Sequence, residues 1–338
     1  MVKHGGNVYG RGMAPDSLLD FSSNINDFVS GSRYSMYPEI DLKKYKEKIA
    51  DYARVKAENI AIGPGLNYFI SHFIDFYSIR WPLIIKPAFS EYEKVASSRK
   101  LEYSNLNIDI LSSRPNVINN YRYDALFIVT PVNPTGELID IGIMEKICET
   151  SARMNAYVFI DDAFGDFVPE YSEKLAKIAL NNRYVFVGRS LTKMFAMPSL
   201  RLGYLISDRS NIENIENLME TWPVCQPALD FISGTDMEYV RNRTIRRNER
   251  ELKFMISKLQ GMGFRILGKP VANYVSFLIE KPEEFENFAL KRGILVRVLD
   301  DFPELGGKAV RIAIKKRNKN MDLVNTISDY LNFVKNSH

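Results

Sequence analysis

In the stretch VGRSLTKMFAMPSLRLGYL, Lys193 follows two hydroxyl side chains, Ser190 and Thr192, and Arg201 stands eight positions further on. A lysine amine attacks carbonyls, and hydroxyls beside an arginine hold an anion. A lysine in such a turn is ordinarily just a solvated side chain, so its companions decide. GPGLN, Gly63 to Asn67, precedes an apolar helical pattern and offers an anion the backbone N–H groups of a helix start. TPVNPTG sets the amide of Asn133 before a proline, with Gly136 closing the turn. DDAFGDF puts Asp161 at the end of an apolar run, where an unpaired carboxylate is costly and a cationic partner is expected. Each cluster alone reads equally well as a turn or a helix cap. Together they supply an anion cradle, a carboxylate for a buried cation, an amide donor and a lysine nucleophile. Pyridoxal phosphate needs that set for its phosphate, its ring nitrogen, its ring oxygen and its aldehyde.

Such groups need a frame, and the chain predicts one. Short apolar runs, NIAIG, PLIIK, ALFIVT, AYVFID, YVFVG and LGYLIS, alternate with helix-like stretches such as LIDIGIMEKICETSARM, whose apolar positions recur every three or four residues. This alternation predicts an α/β fold with a mostly parallel sheet, and ligands in such sheets collect beyond the carboxyl ends of the strands. From about residue 236 the texture changes to a long charged helix, MEYVRNRTIRRNERELKFMISKLQ, then to the strand candidates YVSFLIE, ILVRV and AVRIAI. The expected organisation is an N-terminal arm over 1–40, a large cofactor-binding domain over 41–235 and a smaller α+β domain over 236–338.

Composition narrows the function. The 338 residues are 46% hydrophobic, ample for a substantial core, and 45 basic against 41 acidic residues give only +4, too small an excess to argue for nucleic acid. Cys148 and Cys225 stand far apart without metal-ligand spacing, so neither a disulfide framework nor a metal site is expected, and a reducing cytoplasm fits. The start has no apolar signal core and no window approaches the ~18 uninterrupted apolar residues of a membrane span.

The ordered series GPGLN, KPAFSEY, NPTG, DDAF, RSLTK, LRLGY and VRIAI resembles the fold-type I pyridoxal-phosphate enzymes, the aspartate aminotransferase superfamily, over essentially the whole chain. The resemblance implies a large domain built on a seven-stranded sheet and pyridoxal 5'-phosphate as cofactor. It makes Lys193 the lysine that forms a Schiff base with the cofactor aldehyde and Asp161 the partner of the ring nitrogen. Phe89 would stack on the ring and Asn133 would donate to the ring oxygen. Gly65, Leu66 and Asn67, joined by Ser190, Thr192 and Arg201, would hold the phosphate. Tyr37 would reach the phosphate of a neighbouring subunit, implying a homodimer, and Arg311 would grip the substrate carboxylate.

Two branches look closest, the threonine-phosphate decarboxylases of cobalamin synthesis and the histidinol-phosphate aminotransferases. HGGN at His4 followed by LLDFSSNIN, Phe164 where most aminotransferases have tyrosine, and Arg297 fourteen residues before Arg311 resemble the first. That likeness places His4, Asn24, Arg297 and Arg311 around a small amino-acid substrate carrying both a phosphate and a carboxylate. The arm, with glycines at 5, 6, 10 and 12, is expected to order only over such a substrate. Cys225, Gln226 and Asp162 depart from the pattern. An aminotransferase is the alternative activity, and a ligand-binding member without turnover a remote one.

Overall fold

The computed structural model describes residues 7–9, 14, 17–26, 28 and 35–336. Seven strands form the large sheet: β1 (Ile60–Gly63), β2 (Pro82–Lys86), β3 (Ser104–Asn107), β4 (Ala125–Val129), β5 (Tyr157–Asp161), β6 (Val185–Ser190) and β7 (Gly203–Ile206). Their order is β1-β7-β6-β5-β4-β2-β3. β7 runs antiparallel to both its neighbours, while β6, β5, β4, β2 and β3 pair in parallel. The seven-stranded, mostly parallel α/β expectation is met.

The central strands read as apolar runs because both of their faces are buried. Alternate residues separate two cores: Leu83, Ile85, Leu126, Ile128, Val158 and Ile160 point to one, and Ile84, Ala125, Phe127, Phe159 and Phe186 to the other. The helix Leu66–Phe76 covers the second face with Leu66, Phe69, Ile70, Phe73 and Ile74, an i, i+3, i+4, i+7, i+8 stripe. The helix Ile141–Arg153 covers the first face through Met144, Ile147 and Cys148, and it starts where the Asp140 side chain accepts from the N–H groups of Gly142 and Ile143. β3 escaped the sequence expectation. Its segment SNLN buries only Leu106, because an edge strand has one flank open to water.

The second sheet is antiparallel, with β8 (Tyr274–Leu278), β9 (Arg297–Val298) and β10 (Ala309–Ala313) in the order β8-β10-β9. β9 is shorter than the run ILVRV suggested, and Ile294 and Leu295 lie outside it. Val275, Phe277, Val298, Val310 and Ile312 face the helices Met237–Gly261, Pro282–Leu290 and Arg317–Asn336. The two-residue period sends Tyr274, Ser276, Arg297 and Arg311 to the opposite face. Among the described residues no helix is long and apolar enough to cross a membrane, and no group of three or more His, Cys, Asp or Glu side chains could hold a metal.

Candidate active site

The strand register gathers the polar clusters on one rim. Gly63 pairs with Gly203, and Gly203 with Ser190, across β1, β7 and β6. Asp161 pairs with Gly188 on one side and Val129 on the other. The loops leaving β1, β4, β5 and β6 therefore emerge side by side at the carboxyl end of the sheet.

One end of the rim is built for an anion. Gly65 has φ +89 and ψ 163 and starts the helix Leu66–Phe76 without a side-chain cap. That backbone conformation is essentially reserved for glycine. A Cβ on Gly65 would lie 3.1 Å from Arg201 Nη2, so the guanidinium sits directly over the turn. On Gly203 a Cβ would lie 2.8 Å from the Leu66 nitrogen, so a missing side chain lets β7 pass against the helix start. Ser190 Oγ and Thr192 Oγ1 are 2.8 Å apart and buried. Uncapped helix N–H groups, paired hydroxyls and an arginine form the donor set a phosphate takes.

The other end holds the carboxylate and the amine. Asp161 is buried, accepting from Tyr92 Oη at 2.5 Å and from the Ala163 N–H at 3.0 Å. Burial raises its carboxyl above the usual range, while Tyr92, Ala163 and the Lys193 charge oppose the rise. A cation beside Asp161 would be held strongly. Phe89 meets Tyr92 edge to face with ring centroids 6.5 Å apart, which ties the Phe89 ring to the same wall. Lys193 is open to solvent along its side chain, yet burial by surrounding protein first, then the charges of Arg311 and Arg201, lower its pKa, with Asp161 opposing. The amine is thereby biased toward its neutral, nucleophilic form.

The small sheet closes the site. Arg311 on β10 donates from Nη1 to Asn133 Oδ1 at 2.5 Å, which leaves the Asn133 amide N–H₂ as a donor. The loop carrying Asn133 is gripped on both sides, because Tyr274 Oη donates to Val132 O at 3.0 Å and Ser276 Oγ to Pro134 O at 2.7 Å. Phe164 packs edge to face on Tyr274, centroids 4.9 Å apart. Arg297 stands directly opposite Arg311 across β9 and β10. Like charges facing each other on a sheet are unfavourable unless an anion lies between or beside them.

A scan against family models matches residues 12–327 to the model described as aminotransferase class I and II. The chain belongs to this family. Relatives span nearly all of its length. A Caldanaerobacter subterraneus subsp. tengcongensis protein with the provisional name threonine-phosphate decarboxylase is 31% identical, covering 96% of this chain and 93% of its own. Threonine-phosphate decarboxylase of Salmonella typhimurium is 28% identical over 97% of this chain and 96% of its own. The solved histidinol-phosphate aminotransferase of Clostridium acetobutylicum superposes with a TM-score of 0.79 at 25% identity, covering 89% of this chain and 92% of that one.

The family's enzymes depend on pyridoxal phosphate, and so does this one. The residues present fit that group. The Gly65 turn is a cradle that a Cβ would fill, and Asp161 is a buried carboxylate whose environment calls for a cation. Gly65, Leu66, Asn67, Ser190, Thr192 and Arg201 would take the phosphate, Asp161 the ring nitrogen, Asn133 the ring oxygen and Lys193 the aldehyde. When bound, the cofactor supplies an electron sink for the pair left when a bond to the substrate α-carbon breaks.

Not every expected residue joins this group. Asn24 is exposed, and among the described residues no hydrogen bond links it to the rim. Tyr37, expected at a neighbouring subunit's phosphate rather than on this rim, stacks on Trp222, centroids 4.4 Å apart. His4 and the glycines at 5, 6, 10 and 12 lie outside the described residues. Conversely, Tyr92, Tyr274 and Ser276 shape the site without having been singled out from sequence. Tyr92 was within reach, three residues after Phe89 in KPAFSEY on the start of a helix. Tyr274 and Ser276 carried no local signal, since only the alternation along β8 sends them to the rim.

Proposed function

We propose that the enzyme decarboxylates O-phospho-L-threonine, giving aminopropanol phosphate of the kind used for the cobalamin side arm. The observation that carries this reading is the opposed pair Arg297 and Arg311, two cations on one face, of which Arg311 also acts on Lys193, suited to a substrate bearing two anions. The decarboxylase names of relatives at 31% and 28% identity point the same way. Phe164 adds support, since a phenylalanine gives no hydroxyl to the ring oxygen and leaves Asn133 as donor there.

In this reading the arginines would hold the substrate's phosphate and carboxylate and fix the orientation of the bond between the α-carbon and the carboxylate, which selects that bond for cleavage. The small lobe and the loop at Asn133 exclude water around it. The departing carboxylate leaves as CO2, and Lys193, which has taken a proton from the incoming substrate ammonium, returns one proton to the α-carbon. Asp161, anchored by Tyr92 and Ala163, would face the cation on the ring nitrogen. Tyr37 reaching a second chain's phosphate would make a homodimer the working unit.

An aminotransferase acting on histidinol phosphate is the second reading, favoured by the structural likeness at a TM-score of 0.79. There Lys193 would move a proton from the substrate α-carbon instead of supplying one after CO2 loss. The two separate in a product assay on cofactor-loaded protein. O-phospho-L-threonine should release CO2 with no keto acid present, whereas glutamate formed from histidinol phosphate and 2-oxoglutarate, without CO2 release, would replace the decarboxylase with the transferase.

A further inference from the structure

Arg297 already has a partner within the chain. Its Nη2 donates to Asp301 Oδ2 at 2.5 Å, four residues along the turn that joins β9 to β10. That turn is acidic: Asp300, Asp301 and Glu304 lie within LDDFPELGG. Glu304 is held 3.6 Å from the amine of the buried Lys86, so the turn is pinned against the large lobe. Arg311 is differently engaged, pairing with the neutral Asn133. Of two arginines facing each other across the sheet, one is therefore matched to a carboxylate and one to an amide.

We propose that Asp301 is a resident stand-in for the distal anion of the substrate, a specificity-determining residue that an incoming phosphate must displace from Arg297. The inference rests on the reading that Arg297 receives that phosphate. Its physical content is a competition. A carboxylate already on the guanidinium offsets the repulsion between Arg297 and Arg311. It also subtracts from the binding of any anion that takes its place. A phosphate dianion, with three acceptor oxygens and more charge, can outcompete one carboxylate where a substrate tail carrying no charge or a single charge does so poorly. Asp301 then raises the threshold for occupying the site and sharpens the choice of a phosphorylated tail.

Calorimetric titration of the cofactor-loaded enzyme with inorganic phosphate tests this, in the wild type and in the Asp301→Asn and Asp300→Asn variants. Both substitutions remove one negative charge from the same turn, and only the first removes the partner of Arg297. Asp301→Asn should bind phosphate about two- to fivefold more tightly than wild type, the range expected for a solvent-reached ion pair, and Asp300→Asn should stay near wild type. The gain should shrink as salt is raised. Unchanged or weaker binding in Asp301→Asn overturns the proposal, as does an equal gain in both variants, which would mean a general field effect. Absence of phosphate binding in all three also overturns it. KM for O-phospho-L-threonine should fall in parallel in Asp301→Asn. Wild-type enzyme that binds phosphate but releases no CO2 from O-phospho-L-threonine sinks the proposed reaction, while the phosphate titrations still decide the role of Asp301.

Discussion

Burial first, then the guanidinium groups of Arg311 and Arg201, lower the pKa of Lys193 against the opposing Asp161 carboxylate. Lys193→Ala should leave the phosphate donors intact, so cofactor still binds but borohydride no longer fixes it to the protein. Turnover should fall by about 10²–10⁴ or more, the scale of a lost acid–base group. Covalent fixation persisting in the variant would move the nucleophile elsewhere. A neighbouring residue offers a separate test. Asp162 lies buried with Oδ2 3.1 Å from Arg189 Nη1, and Arg189 is shared with Asp166 at 2.8 Å. Burial first, with Asp166 and Asp161 adding, pushes Asp162 up to about 7 against the opposing Arg189 charge. A carboxyl raised in the folded state favours folding while it is protonated, and that contribution is lost as pH rises from the unfolded value near about 3.9 toward about 7. The wild type should lose thermal stability relative to Asp162→Asn across that window, as followed by melting midpoints. Parallel profiles would show that Asp162 is ionised throughout.

At the scale of elements, the anion end of the site is a meeting of three backbones. The Gly65 turn at the head of the helix, the start of β7 and the end of β6 approach so closely that side chains at two glycines would collide or strain. The two substitutions should fail differently. Gly65→Ala forces a side chain into a glycine conformation and presses on Arg201, and about 1–3 kcal/mol of strain there should weaken cofactor affinity about tenfold. In Gly203→Ala the new Cβ meets only backbone, the Leu66 nitrogen and the Arg189 carbonyl oxygen at 2.8 Å each, so folding itself should suffer. Cofactor titration and melting of both variants check the contrast, and equal loss of affinity with equal loss of stability would contradict it. The rim glycines were legible in sequence because a short apolar strand, a glycine turn and a helical pattern follow one another directly. So were six of the seven large-sheet strands, whose burial on both faces writes them as apolar runs. β3 was hidden because its single buried side chain, Leu106, leaves no periodicity to read. β9 was overdrawn because Ile294 and Leu295 continue the apolar run without joining the sheet.

Across the whole molecule, the two sheets meet through side chains that neither could place alone. The large sheet brings Asn133 to the rim on a loop, and loops are poor at holding a donor to a fraction of an ångström. The small sheet corrects this by taking the loop at three successive residues, Val132, Asn133 and Pro134, with Tyr274, Arg311 and Ser276. Because Ser276, Arg311 and Arg297 form one row across β8, β10 and β9, the elements that fix the Asn133 loop are continuous with those that would receive the substrate. Sequence could propose Asn133 and Arg311 separately, as motif residues far apart in the chain, but their pairing depends on how the sheets dock. The coupling predicts a specific pattern for the double variant Tyr274→Phe with Ser276→Ala. Each change removes one hydrogen bond to a loop carbonyl, worth about 0.5–1.5 kcal/mol, so the melting midpoint should drop modestly. The phosphate donors and Asp161 are untouched, so cofactor affinity should hold. The Asn133 amide should lose its set position, and a small misplacement of a positioning group costs up to about 10²-fold in kcat/KM. Steady-state kinetics with a cofactor titration on the same preparation separate the cases. Loss of stability with kcat/KM intact would reduce the grip to ordinary packing, whereas loss of kcat/KM with cofactor affinity intact makes the small sheet part of the machinery that aims the ring.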